Sequence, residues 1–449
     1  MNDVFVMLGF LVIFLLTIVE LRTIRLDALG FSDGILIGAV YYVLIPLLVV
    51  LFTDNLSEPT LHIASYDPYA DLSTTLNLYL GLLVVLLFHV IARLAPRRRA
   101  QARPPPIERN SFRIFLFILI LLEVTNFFLS GKGSGGHWAE NAATALSQSP
   151  VAIFSLGIQN CLRTSVFGYL IYQVSVLGMP RRSAVLIGGL VVILDVALTF
   201  NRITVAYFIM MIALLFRDRL VLFGSGLVIV APTVTFMSSV WAVFRGLALS
   251  RGVSVENILI ALQTASFTSQ AGTEGGISRV LNAFAEASNI LVFKFLVENV
   301  PDHFPPLWGQ TFVLKSFSFF IPSTIWEDKP KTFGTYLGYY MESTQQLTLN
   351  STLFGEAYGN FHYFWPLALI VMLLFLEVLF RRAARFSSAY GFFATFIAIA
   401  LWRFDMTFAF ISIVAIAVLY IGTEFCSLLL ASNRRKRPAP IINQRPSAR

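Results

Sequence analysis

The chain has 449 residues, of which 57% are hydrophobic and only 13% charged, and its mean hydropathy is +0.74. Soluble domains carry about 25% charged residues, so this composition excludes a soluble globular fold and points to an all-α polytopic membrane protein. The net charge of +8 is not a nucleic-acid signature, because the arginines gather at the ends of apolar stretches, where membrane orientation accounts for them.

A spanning helix needs about 20 mostly apolar residues. About eleven stretches qualify: 3–21, 34–52, 77–94, 112–130, 151–178, 184–200, 203–217, 220–242, 365–380, 391–403 and 407–430. The first follows Met-Asn-Asp with no basic run, so it is expected to be retained rather than cleaved as a signal peptide. Basic residues follow every odd span: Arg22 and Arg25, Arg97 to Arg99 with Arg103 and Arg109, Arg181 and Arg182, Arg217 and Arg219, Arg381, Arg382 and Arg385, and Arg434 to Arg437 with Lys436 among them. The positive-inside rule then sets the N-terminus outside and the C-terminus in the cytoplasm.

Four regions follow from this layout: an N-terminal bundle (1–242), a long outer, periplasmic loop with short helices (243–364), C-terminal spans (365–430) and a basic cytoplasmic tail (431–449). The inner loops are short and hold no GxGxxG or Walker sequence, so no nucleotide or other cofactor is expected. Cys161 and Cys426 lie in apolar spans and suggest neither a disulfide nor a metal site. Within the long loop, 277–299 has helical apolar spacing and is expected to lie on the membrane surface or pack on the bundle. His89, Glu20 and Glu123 read as structural or inner-end residues, and Glu377 and Glu424 fall toward inner ends.

The stretch most suited to chemistry runs from Phe319 to Phe364, where Trp326, Tyr336, Tyr339, Tyr340 and Tyr358 alternate with Glu327, Asp328, Lys329, Lys331, Glu342 and Glu356. Aromatic faces beside charged groups suit a sugar or an anionic head group. Arg202, Arg245 and Arg403 fall at the outer ends of spans and Arg279 begins the amphipathic stretch, against the inward bias of the other arginines. Arginine at that depth needs a partner or a task. Pairing with Asp195 or Asp405 and snorkelling are the structural readings, and clamping a phosphate-bearing ligand bidentately is the functional one. There is no DxD; Asp54, Glu58, Asp67 and Asp71 form the one acidic loop cluster, so cationic side chains are favoured over a metal. Glu356, Asp328, Glu327 and His303 are the candidate acids or bases, each with a structural alternative as a hydrogen-bond partner.

The run Ile321-Pro322, Trp326, Lys329-Pro330, then Ser351-Thr352, Gly355-Glu356, Tyr358 and Asn360-Phe361, resembles the Wzy-type O-antigen or oligosaccharide repeat-unit polymerases, whose pattern is IPxxxWxxKP followed by S/T and GExYxNF. The motifs cover roughly 200–365, and Asn201-Arg202 fits the arginine such proteins carry at the outer end of a middle span. The resemblance departs after Phe361, where His362, Tyr363, Phe364 and Trp365 replace the family's usual glycine and small residue.

The resemblance implies a C-type glycosyltransferase-like enzyme in the bacterial inner membrane. It would join repeat units carried on undecaprenyl pyrophosphate at the outer face, for O-antigen of lipopolysaccharide, capsule or exopolysaccharide. A chain-length regulator and a flippase are the implied partners. On this reading Arg202, Arg245, Arg279, Arg403, Lys329 and Lys331 would bind pyrophosphate, Trp326, Tyr336, Tyr358 and His303 would bind sugar, and Glu356 or Asp328 would take the acceptor proton. An O-antigen ligase-like transferase and a lipid-linked oligosaccharide flippase or transporter are the alternatives.

Overall fold

The computed structural model describes residues 2–53, 65, 67–95, 107–129, 150–199, 203–219, 240, 243–244, 246–247, 254–270, 288–321, 325–342, 350–419 and 422. Among the described residues every regular element is helical. In chain order they are α1 (Asn2–Arg22), α2 (Phe31–Ala39), a π turn (Val40–Leu44), α3 (Ile45–Thr53), α4 (Leu72–Leu94), α5 (Ile107–Leu129), α6 (Pro150–Ser175), α7 (Arg181–Thr199), α8 (Ile203–Leu215) and α9 (Val255–Gln270). Then follow α10 (Ser288–Asn299), a second π segment (Gln310–Lys315), α11 (Phe333–Glu342), α12 (Thr352–Phe361), α13 (Trp365–Ala383), α14 (Ala389–Ala400) and α15 (Thr407–Leu419).

Five stretches are long and apolar enough to cross a bilayer: Val6–Thr23, Phe31–Leu51, Leu72–Leu94, Arg181–Thr199 and Thr352–Ala383. Three shorter apolar helices, α8, α14 and α15, accompany them. The chain is thus an all-α membrane protein. The expected span 220–242 lies outside the described residues apart from residue 240. Leu8, Leu11, Leu15 and Val19 of α1 and Leu186, Leu190 and Ile193 of α7 are exposed, as lipid-facing residues would be.

The helix at the centre is α14. Its sequence AYGFFATFIAIA is apolar all round, and a helix with no polar face must be buried on every side. It packs between α2 and α6, with α13 alongside. Close approach is set by glycines. A Cβ at Gly34 would stand 2.0 Å from the Thr395 carbonyl oxygen, and one at Gly168 would stand 2.1 Å from that of Phe392. Gly34 and Gly38 are four residues apart on α2, the small-residue spacing by which membrane helices bring backbones together. The π turn after α2 lies just before Pro46, which has no N–H and whose ring would strike the carbonyl four residues back; the wider turn absorbs that conflict.

Ions tie one end of α1, α4 and α13, in keeping with the structural roles expected of His89 and Glu20. His89 Nδ1 faces Glu20 Oε2 at 3.0 Å and Nε2 faces Asp33 Oδ1 at 3.1 Å. Arg93 pairs with Glu20 at 3.2 Å. Arg381 pairs with Glu377 and donates to the carbonyls of Ala92 and Ala95, the orphan acceptors at the end of α4. Glu424 lies outside the described residues.

The long loop does not stand apart from the bundle. The expected amphipathic stretch appears as α10 from Ser288, with 271–287 outside the described residues, and it packs against α4 and α12. Ile290, Leu291, Phe293 and Leu296 are fully buried. A 3-10 turn, His362–Phe364, carries α12 into α13. His362 enters it at φ 45°, an unusual backbone for a non-glycine residue.

Gly34→Ala is expected to lower the thermal stability of the purified protein by about 1–3 kcal/mol or more, because its methyl group meets backbone rather than a movable side chain. Gly246→Ala, with nothing within 4 Å of its Cβ, should leave the melting temperature unchanged. Equal melting of the two variants would refute the close-packing account.

Candidate functional site

The site is built around α12, TLFGEAYGNF, in which Thr352 through Asn360 are all buried. The helix is entered at Thr352, φ 64°, and left at His362, φ 45°, so both junctions hold non-glycine residues in the left-handed region. Asn360 is its main polar anchor. Its Nδ2 donates to Thr311 Oγ1 at 2.7 Å and to the Glu356 carbonyl at 2.7 Å. Its Oδ1 accepts from the N–H groups of Thr311 (3.3 Å) and Phe312 (3.4 Å). The Trp308 and Leu307 N–H groups donate to the carbonyls of Asn360 and Gly359, at 2.8 and 3.0 Å. The irregular backbone of 307–315 is thereby held on α12.

Beyond that anchor, the chain dips beside spanning helices. The Phe317 ring lies 6.1 Å from that of Phe375, midway along α13, and 4.6 Å from that of Phe410 on α15. Val313, Leu314, Phe317 and Phe320 are exposed on the far side. The segment 316–321 thus packs on α13 and α15 through Phe317. Backbone carbonyls at such depth need donors. Lys329 supplies them, donating from Nζ to the Phe319 (2.9 Å) and Ile321 (2.6 Å) carbonyls. The lysine of the KP pair therefore closes back on the isoleucine of the IP pair.

Four ionisable groups meet at this place. Glu356, 2% exposed, accepts from the Met406 N–H at 2.9 Å through Oε2, while Oε1 is buried with no partner among the described residues. Asp405, in the turn between α14 and α15, interacts with the Glu356 carboxyl. Burial pushes the Asp405 carboxyl above the ordinary carboxylate range, against the pull of the Lys315 ammonium. Lys315 is half-buried; burial lowers its proton affinity and Asp405 opposes the shift. Lys329 is lowered too, by burial first and then by Lys315. An anion beside these lysines would favour the charged form of each.

The residues chosen from sequence divide as follows. Glu356, Lys329 and the turn holding Arg403, half-buried and two residues before Asp405, come together. Lys331 and Asp328 are exposed, as are Glu327 and His303. Trp326 and Tyr336 are half-buried. Tyr358 is in the core, 6% exposed, with its ring against Phe293, His362 and Trp365. Arg202, Arg245 and Arg279 lie outside the described residues.

Besides Phe317, Phe320 and Phe364, the exposed aromatics near the loop include Trp308, Tyr339, Tyr340 and Tyr363. Of these Trp308 has φ 48°, an unusual backbone for so bulky a residue. Asp67 and Asp71 of the acidic cluster accept from backbone amides. Asp67 takes Tyr69 N–H at 2.8 Å, and Asp71 caps α4 by accepting from Ser73 and Thr74. Asp54 and Glu58 lie outside the described residues. Reading the sequence missed Lys315 and Asp405 as members of one group; their spacing carries no signal, since 90 residues of chain separate them.

No family model, curated protein or solved structure matches the chain.

Lys329→Met should leave two carbonyls without a donor at about 1–3 kcal/mol and loosen the dip. The expected result is faster amide exchange across 316–321, with Lys331→Met, at an exposed position, unchanged. Equal protection in both variants would mean that Lys329 does not hold the segment.

Proposed function

We propose that the chain is a membrane glycosyltransferase that polymerises oligosaccharide units carried on undecaprenyl pyrophosphate. The reading has eleven spans, the N-terminus outside, the C-terminus in the cytoplasm, and the site at the outer face of a bacterial inner membrane. The observation that carries it is the grouping of Glu356, Asp405, Lys315 and Lys329 beside an aromatic segment whose other side is apolar and exposed. A lipid-linked diphosphate has the same two-part character: an apolar chain and a multiply charged head. The resemblance of the IPxxxWxxKP and GExYxNF residues to Wzy-type polymerases supports the same reading.

In the reaction, an acceptor hydroxyl oxygen attacks the anomeric carbon of the donor sugar. The carbon–oxygen bond to the diphosphate breaks, and the diphosphate leaves with the electron pair. The cations hold that developing charge: Lys315, Lys329, Lys331 and Arg403, with Arg202, Arg245 and Arg279. The acceptor proton passes to the Glu356–Asp405 carboxyl pair, where Glu356 Oε1 has no hydrogen-bond partner among the described residues. Trp326, Tyr336, Trp308 and the exposed tyrosines offer faces to sugar. Asp328 and His303, both exposed, belong to the sugar-facing rim in this scheme.

A second reading, a transporter of lipid-linked oligosaccharide, has one observation in its favour. Arg163 lies midway along α6, buried, and pairs with the buried Asp195. Charges inside a bundle are characteristic of transporters. Placing every functional charge at the outer edge overlooks this pair.

The two readings part in proteoliposomes holding purified protein and lipid-linked repeat unit, assayed for polymer and for movement of the unit between leaflets. Glu356→Gln keeps an acceptor for the Met406 N–H and removes the proton acceptor. It should cut polymer formation about 10²–10⁴-fold with donor KM little changed. Full activity would eliminate Glu356 as the base, and leaflet exchange without polymer would establish the transporter. Reporter fusions at Arg99 and Arg435 should report cytoplasm, and one at Gln345 the outside; a cytoplasmic Gln345 would end the polymerase reading.

A further inference from the structure

A second group of buried charges lies far from α12 in the chain, among α5, α6, α7 and α8. Asp195 on α7 is fully buried and well supplied with donors. Its Oδ1 accepts from Arg163 Nη1 at 3.3 Å and Thr199 Oγ1 at 3.1 Å, and its Oδ2 accepts from Thr204 Oγ1. Arg163 also donates from Nη2 to Asn160 Oδ1 at 2.6 Å. Its Nε–H is buried with no acceptor among the described residues. Glu123 on α5 is 1% exposed, and neither carboxyl oxygen has a hydrogen-bond partner among the described residues. The helices packed against α5 are α6 and α7, and the charged groups on them that act on Glu123 are Arg163 and Asp195.

The charge count does not close. Two carboxylates face one guanidinium, leaving a net negative charge inside the bundle, where an unpaired charge is costly. We propose that Glu123 and Asp195 form a proton-binding site, sharing Arg163 as their one counter-charge and holding one proton between them. A metal cation is a poor occupant, because hard cations want about six oxygen ligands, the Asp195 oxygens already accept three hydrogen bonds, and Arg163 repels a cation. A proton needs no ligand shell. With the proton on Glu123, Arg163 pairs with Asp195, as in the structure. When it leaves, Glu123 becomes a second carboxylate competing for Arg163, whose Nε–H is the donor without an acceptor. Thr199 and Thr204, which hold Asp195, bracket the stretch containing Arg202, so this exchange acts on the α7–α8 junction. The proposal is independent of whether the chain transfers sugars.

Infrared difference spectroscopy of the purified protein in lipid nanodiscs, titrated from mildly acidic to alkaline pH, tests it. At neutral pH the parent minus Glu123→Gln spectrum, in which the Glu356–Asp405 carboxyls cancel, should show a protonated carboxylic-acid carbonyl band that fades on alkalinisation. Glu123→Gln, which has the shape of the protonated acid, should fold. Asp195→Asn leaves one carboxylate for one guanidinium, so its spectrum should lack that same band. A difference spectrum with no such band overturns the site. Persistence of the band in folded Asp195→Asn overturns the sharing. The parent spectrum and Glu123→Gln decide the site even where Asp195→Asn fails to fold.

Discussion

The structure depends on how closely α14 approaches its neighbours. Two of its carbonyls lie where side chains on α2 and α6 would begin, and only glycine at 34 and 168 leaves room. The consequence reaches the candidate site. Trp402, just past α14, donates from Nε1 to the Ile35 carbonyl at 3.1 Å and rests on Gly38. Its ring meets Phe354 of α12 at 4.9 Å, and Phe354 in turn rests on Gly81 of α4. Backbone contact on α2 therefore fixes one tryptophan, which aligns the 401–406 turn with α12. The Glu356 carboxyl can accept from Met406, and Asp405 can sit beside it, because that register is set elsewhere.

The segment from Leu307 to Ile321 poses the opposite problem. It is neither a spanning helix nor a water-exposed loop, so its backbone groups cannot all be satisfied locally or by solvent. Asn360 and Lys329 supply the missing partners from two directions, one amide side chain for the start and one ammonium for the end. This is why residues that read as chemistry carry structural duties. Lys329 still has a third N–H and lies beside Lys315, so a structural bond and an electrostatic role coexist on one side chain.

Sequence reading recovered what hydropathy and local motif determine. Five of the eleven expected spans were legible because about 20 apolar residues are required whatever the packing. The 277–299 periodicity led to α10, whose apolar side found α4 and α12 rather than the membrane surface. Tyr358 misled for a physical reason: in GExYxNF the polar and glycine residues suggest a loop, yet they lie on a helix buried all round, where Asn360 and Glu356 bond backbone, Gly355 admits Leu296 and Gly359 admits the Phe333 ring. Arg163 was overlooked because one arginine barely lowers the mean hydropathy of its span. An ionisable residue in a spanning stretch is itself a signal of function or pairing, and it could have been taken as one. The Gly34–Gly38 spacing was another available signal. Partners such as Asp195, and the meeting of Lys315 with Asp405, require tertiary structure and leave no trace in spacing.

The two ionic groups differ in a way that bears on what each can do. Near α12, two carboxyls face two lysines whose charged forms are both weakened by burial, so an incoming anion improves the position of each cation. Among α5 to α8, two carboxyls face a single guanidinium, so an incoming anion worsens the balance and a proton improves it. The same elementary rule, that buried charge must be compensated, suits an added anion to the first place and an added proton to the second. The second is an additional property of the bundle, anchored by Thr199 at the end of α7 and Thr204 at the start of α8, both of which hold Asp195.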